Sequence, residues 1–151
     1  MSLETVAWLQ RIRGVEREHL AAQLAAAQLL SRAAHDSSIL GSLLKYKDVR
    51  VMAARLEGTY IVRLFAEFET GLRLFWPTAR NADPPGRTVD LIDGLAATRR
   101  IPAQVRTNAH GVREFRNALV HEREIAVDPI PLAEARAHVC RFFSYLPQNW
   151  H

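Results

Sequence analysis

Arg116 and His121 lie in the stretch Arg113-Glu-Phe-Arg-Asn-Ala-Leu-Val-His-Glu-Arg123, with Asn117 directly after the arginine. These residue types form the smallest set able to attack a phosphodiester. A guanidinium neutralises phosphate oxygens with a planar fork of donors. An imidazole titrates near neutral pH and can move a proton. No other stretch of the chain offers a comparable pairing. Taken alone, Arg-x4-His is equally compatible with a helix that carries an ion-paired arginine and a histidine placed favourably against the helix dipole.

The element that must position them is a helix running from Pro102, which suits a first turn, to about His121. At about 100° per residue, Arg106, His110, Arg113, Asn117 and His121 fall within about 80° of one another and form one polar stripe. Val105, Val112, Phe115 and Leu119 form the opposing apolar face. Arg116 leaves the stripe beside Val112 and Leu119, about 140° from His121. Two expectations follow from that angle. Arg116 starts in or at the edge of the core, where an unpaired guanidinium is costly, so Glu57 or Glu69 on the preceding long helix is expected to neutralise it. A single straight helix also does not let Arg116 and His121 grip one phosphate. They converge only if the helix end frays, or if a second copy brings its own stripe across a two-fold axis.

The remaining elements are helical as well. Residues 3–34 read as a long helix with Ser2 as its cap. Val6, Leu9, Ile12, Leu20, Leu24 and Leu29 supply the apolar spacing, Gly14 is a possible bend, and Ala21 to Ala27 favour close helix approach. His35 to Ser38 break that pattern, and Gly41 lies in the following loop. Asp48 suits the N-cap of a second long helix that Pro77 stops after Trp76. Its Ile61, Leu64, Phe68, Leu72 and Phe75 share one face, with Glu57 near the middle of it. Pro77, Pro84, Pro85 and Gly86 mark a loop, and Thr88 caps a short helix to about Arg99. A last helix runs from about Leu132 to Tyr145, before Pro147. With no alternating strand pattern and no repeat, the reading is one all-α domain over residues 1–151, a bundle of four or five helices.

Composition narrows the partners. Apolar residues make up 48% and charged residues 24%, which fits a soluble globular protein. The net charge is +4, and of the 20 lysines and arginines only Lys45 and Lys47 are lysine. Arginine suits bidentate phosphate contacts, so a nucleic-acid partner gains weight, with Arg106, His110 and Arg113 as candidate backbone contacts. A GC-rich genome would produce the same arginine bias. Cys140 is the single cysteine, which excludes an internal disulfide and a Cys-rich zinc site, and its apolar setting reads as core. The histidines are dispersed without metal-ligand spacing, so no metal and no cofactor are expected. The charged N-terminal region is not a signal peptide, and no apolar run is long enough to span a membrane. A cytoplasmic protein without membrane contact is expected.

Phe115-Arg-Asn-Ala-Leu-Val-His121 has the form Arg-Asn-x3-His at the end of a later helix in a small all-α chain. It follows a long helix reading Arg55-Leu-Glu-Gly-Thr-Tyr-Ile-Val-Arg-Leu-Phe-Ala-Glu-Phe-Glu-Thr-Gly-Leu-Arg73. This resembles the HEPN superfamily, whose hallmark is arginine, a polar residue, three to five more residues, then histidine. The resemblance covers most of the chain in architecture and residues 115–121 in motif. It implies a metal-independent endoribonuclease of the toxin or defence kind, acting as a homodimer with two motifs facing each other in a cleft. Arg116 would then bind and polarise the scissile phosphate. His121 would transfer a proton at the ribose 2′-hydroxyl or the leaving 5′-oxygen, and Asn117 would orient His121 or the phosphate. The products would be a 2′,3′-cyclic phosphate and a 5′-hydroxyl, which requires RNA. Members paired with nucleotidyltransferase antitoxins often carry a tyrosine two residues after the histidine. Arg123 stands there instead, which leaves an antitoxin partner open. Other members only bind RNA, nucleotides or proteins, so the alternative is a non-catalytic helical binding module.

Overall fold

The apolar spacing of the two long segments produces two helices, α1 (Thr5–His35) and α2 (Tyr46–Arg80), which dominate the computed structural model. Residues 5–121 and 127–150 are described; the expected cap Ser2 lies outside them. Glu18 bridges to Arg63 and Arg11 to Glu67, so α1 and α2 run antiparallel. α3 (Thr88–Thr98), α4 (Ala103–His121) and α5 (Leu132–Phe143) complete an all-helical bundle, with no strand among the described residues.

The α2 face read from the sequence is the spine of the core. Ile61, Leu64, Phe68, Leu72 and Phe75 are all fully buried, joined by Phe65. Phe68 meets Phe142 of α5 edge-on at 5.5 Å, and Trp8 of α1 stacks on Trp150 at 6.5 Å. Trp150 also donates its indole N–H to the Thr5 hydroxyl at 3.0 Å, so the last described turn is fastened to the start of α1. Such pairs hold the rings in the offset and T-shaped arrangements that their quadrupoles favour.

Several boundaries differ from the sequence reading, each for a local reason. α2 begins at Tyr46, and Asp48 sits in its first turn, where its carboxylate accepts the Lys45 backbone N–H at 2.8 Å. It caps from inside the helix rather than from its edge. Pro77 does not stop α2, which continues to Arg80 before Asn81 closes it in a left-handed conformation at φ 49°. The proline removes one hydrogen bond near the helix end. Packing there offsets the loss: Gly94 lies so close under Trp76 that a Cβ would come within 2.5 Å of the indole. Thr88 is the first residue of α3 and not its cap, because its hydroxyl is turned to Glu69. α1 runs through Gly14 without interruption, and α5 ends at Phe143.

The largest departure concerns α1. Leu20 and Leu24, read as apolar-face residues, are 55% and 62% exposed. The hydrophobic core takes Trp8, Ile12 and Val15 from α1 and starts at Ile61 on α2. The far half of α1 and the near half of α2 therefore form a two-helix arm outside the core. Its fully buried apolar residues are only Ala26, Ala33 and Val49. Helical spacing specifies that a face is apolar; whether a third element covers it depends on the lengths of the other helices, and α3 to α5 are too short to reach this far.

Gly71 marks the tightest crossing in the core. A Cβ there would sit 2.6 Å from the Phe143 ring and 3.1 Å from Trp8. Gly71→Ala is expected to destabilise the fold by about 1–3 kcal/mol despite the better helix propensity of alanine. Thermal unfolding would show this as a drop of about 2–4 °C per kcal/mol; an unchanged or higher melting temperature would contradict the packing.

Candidate functional site

A carboxylate on α2 organises the site. Glu69 Oε1 accepts from Arg73 Nε at 3.1 Å and Nη2 at 2.8 Å, and from the Thr88 hydroxyl at 2.9 Å. Its other oxygen accepts from Arg116 Nη2 at 3.3 Å. Arg73 reaches on to the carbonyls of Pro85 and Gly86, at 2.6 and 3.1 Å. One charge thus ties α2, the proline-rich loop, the start of α3 and α4 into one polar knot. Glu69 and Arg116 keep only 21% and 22% of their side chains exposed. At that depth ion pairing is worth more than at a surface, and loss of one partner costs more.

Arg116 lies over the Phe65 ring, 4.7 Å from its centroid, so the guanidinium is sandwiched between an aromatic face and a carboxylate. Its Nε is buried and has no hydrogen-bond partner among the described residues. Two guanidiniums, Arg73 and Arg116, share the single Glu69 charge. The knot therefore carries net positive charge, beside one buried donor that no described residue meets. Glu57, the other expected neutraliser, is not paired with Arg116. Its Oε1 accepts the Leu132 backbone N–H at 2.8 Å and so caps the start of α5. A carboxylate there meets both an orphan amide and the positive end of the helix dipole.

The polar stripe of α4 divides in two. Towards its start, His110 Nε2 lies 2.8 Å from Asp93 Oδ1 on α3, and Arg106 Nε lies 3.9 Å from the same oxygen. Arg113 Nε donates to His110 Nδ1 at 3.4 Å. A guanidinium can only donate, so Nδ1 offers its lone pair and the ring proton sits on Nε2, facing Asp93. Arg113 Nη2 also lies 3.6 Å from Glu114. These three residues are bound up with α3 and with one another. Towards the end of the stripe, Asn117 is half-buried and His121 is exposed. Neither makes a side-chain hydrogen bond among the described residues. Because α4 is an unbroken helix to His121, Arg116 and His121 leave it on different sides, and one chain does not bring them to a common point.

Sequence reasoning missed Asp93, Arg73 and Thr88. Asp93 lies in the short, largely apolar α3, whose rotation against α4 is not encoded in either helix alone. The only available signal was that three basic residues on one stripe, Arg106, His110 and Arg113, favour a counter-charge on the element packed beside them. Cys140 is buried in α5, and burial pushes its thiol above the ordinary cysteine range, against a partial opposing pull from Arg136 and Arg13. Among the described residues, no three His, Cys, Asp or Glu side chains come close enough to share a metal ion. Arg123, two positions after His121, lies outside the described residues. The chain matches no family model, no curated protein and no solved structure.

The two glutamates make separable predictions. Glu69→Gln strips the charge that compensates Arg73 and Arg116, and is expected to cost about 2–3 kcal/mol, somewhat below a fully buried pair. Glu57→Gln keeps an acceptor for the Leu132 amide and should cost under about 1 kcal/mol. Urea denaturation of both variants ranks them; a larger loss for Glu57→Gln would contradict the assignment. The raised Cys140 thiol should stay inert to a disulfide reagent at mildly alkaline pH while the protein is folded, and react once it is denatured. Rapid labelling of the native protein would count against its burial.

Proposed function

We propose that this chain is a metal-independent endoribonuclease of the HEPN kind, active as a homodimer, in which Arg116 and His121 of the Arg-Asn-x3-His motif carry the chemistry. The observation that supports it best is the setting of Arg116, a partly exposed guanidinium that shares the Glu69 carboxylate with Arg73, on the same helix end as an exposed histidine. In this reading Arg116 takes the scissile phosphate, with Glu69 and Phe65 holding its fork in place. His121 removes the 2′-hydroxyl proton or protonates the leaving 5′-oxygen, and Asn117 orients it. The 2′-oxygen attacks phosphorus as the 5′-oxygen departs, which leaves a cyclic phosphate and a free hydroxyl. Arg106 and Arg113 hold neighbouring backbone phosphates, with His110 buttressing Arg113 from below. Two copies are needed, because His121 projects away from its own Arg116. In toxin systems such an enzyme would be held in check by an antitoxin protein, and it would work in the cytoplasm.

A second reading draws on the same ion pair. With Glu69 as its structural partner, Arg116 serves stability, and the chain is a non-catalytic module that binds RNA or protein. The discriminating measurement is RNA cleavage in excess EDTA, followed on a gel with end-group analysis. Under the enzymatic reading, wild-type protein cleaves RNA to 2′,3′-cyclic phosphate ends. His121→Ala lowers the rate by at least about 100-fold, the usual scale of a lost general acid or base, with an unchanged melting temperature. Under the other reading His121→Ala is silent, while Arg116→Ala mainly lowers stability. Cleavage that requires added metal, or that survives His121→Ala, would overturn the enzymatic proposal.

A further inference from the structure

The two-helix arm ends in a tip that combines exposed apolar residues with unpaired cations. Gly41 turns the chain at φ 71°, a conformation that suits glycine, just before the exposed pair Leu43 and Leu44. Leu43 is 92% exposed and Leu44 more than half exposed, and Ile39 and Tyr46 on either side are exposed as well. The only two lysines of the chain, Lys45 and Lys47, flank Tyr46, and both are exposed. Arg32 in the last turn of α1 and Arg50 early in α2 are exposed too. Among the described residues none of these four cations is in an ion pair. The two carboxylates of the tip are each taken up by their own turn. Asp36 accepts the Ser38 backbone N–H at 3.0 Å, and Asp48 accepts that of Lys45 at 2.8 Å. No other acidic residue lies between Glu18 and Glu57, a stretch that also holds Arg55. The outer arm thus sets five cations against two carboxylates that cap its own backbone.

We propose that this tip docks on an anionic lipid surface, with Leu43 and Leu44 entering the acyl boundary and the four cations meeting the headgroups. Shape and charge together select this occupant. From Tyr46 to Ile61, where the core begins on α2, is about 20 Å at 1.5 Å per residue, so the tip is a protrusion and not a hollow. A folded partner would need a cavity matched to it, and a second copy placed tip to tip would set cations against cations. A bilayer opens around an apolar wedge and supplies the opposite charge. Each residue type also fits its depth. Leucine gains by leaving water, tyrosine sits with its hydroxyl at the headgroup level, and lysine reaches from an apolar stem to a charged end. The expectation of no membrane contact rests on the lack of a spanning run, and no described helix is long and apolar enough to cross a bilayer. Docking by an inserted tip needs no such run. Along α2 the tip lies about 35 Å from Glu69, so the α2–α4 crossing stays in water while the tip is bound. This contact is separate from the proposed enzymatic activity and stands whether or not the chain cleaves RNA.

Co-sedimentation of the full chain with vesicles tests it. Wild-type protein is expected to pellet with vesicles of equal parts phosphatidylserine and phosphatidylcholine. Binding to phosphatidylcholine alone should be at least about tenfold weaker, and high salt should release the protein as it screens the cations. Leu43→Asp with Leu44→Asp, placed at an exposed turn, should keep the helical circular dichroism spectrum and weaken binding at least about a hundredfold, because the apolar wedge is gone. Lys45→Gln with Lys47→Gln should weaken it at least about tenfold. A second measurement leaves all four residues in place. Cys140 is buried, so Ser42→Cys takes an environment-sensitive dye at the tip alone. Its emission should shift to the blue on the phosphatidylserine vesicles. The proposal fails if wild-type protein ignores those vesicles, or if either pair of changes leaves binding as it was. It fails equally if the protein binds while the dye at position 42 stays in water. Leucine-dependent pairing of two copies in sedimentation equilibrium, with no vesicle bound, would overturn it as well. Vesicle binding with these properties by a chain that leaves RNA intact would sustain the tip and remove the ribonuclease reading.

Discussion

Everything at the α2–α4 crossing depends on one carboxylate that has more partners than charge. Glu69 receives Arg73, Arg116 and Thr88 together, and through them fixes a loop and two helices against the core spine. In a buried setting, such under-compensation is unfavourable for stability alone. Replacement of the whole cluster by apolar residues would pack as well or better. The cation–π contact with Phe65 moderates the penalty without cancelling the charge.

Much of the architecture could be read directly from residue spacing. The α2 face from Ile61 to Phe75 is periodic over four turns, and only a helix buried along one side produces that pattern. The need for a glutamate opposite Arg116 was also legible, since an arginine projecting beside Val112 cannot remain unpaired. Which glutamate serves was not. Glu57 and Glu69 both lie on α2, and the choice depends on where α4 and α5 cross it, a tertiary fact without a local signature. Asp93 and His110 pair for the same kind of reason. Leu20 and Leu24 illustrate the converse: their spacing was read correctly as apolar, but the number of covering helices cannot be counted from one helix's own pattern.

The site also shows how a single helix can serve two ends. The first half of α4 is anchored through Asp93 and packs Val105, Ala109 and Val112 into the core. Its last turn bears Leu119, Val120 and His121 at the surface. α4 is therefore held by packing and by Asp93 over its first half, and exposed to solvent over its last turn.

The thin interior of the arm has a consequence in time rather than in space. Ala26, Ala33 and Val49 bury little surface, so the hydrogen bonds of that half of α1 and α2 are protected mainly by the helices themselves. In a lone chain they open by local fraying well before the aromatic core yields. Anything that covered the arm would slow that opening. A partner bound there would add to the arm's local stability, so that binding and fraying would be one equilibrium.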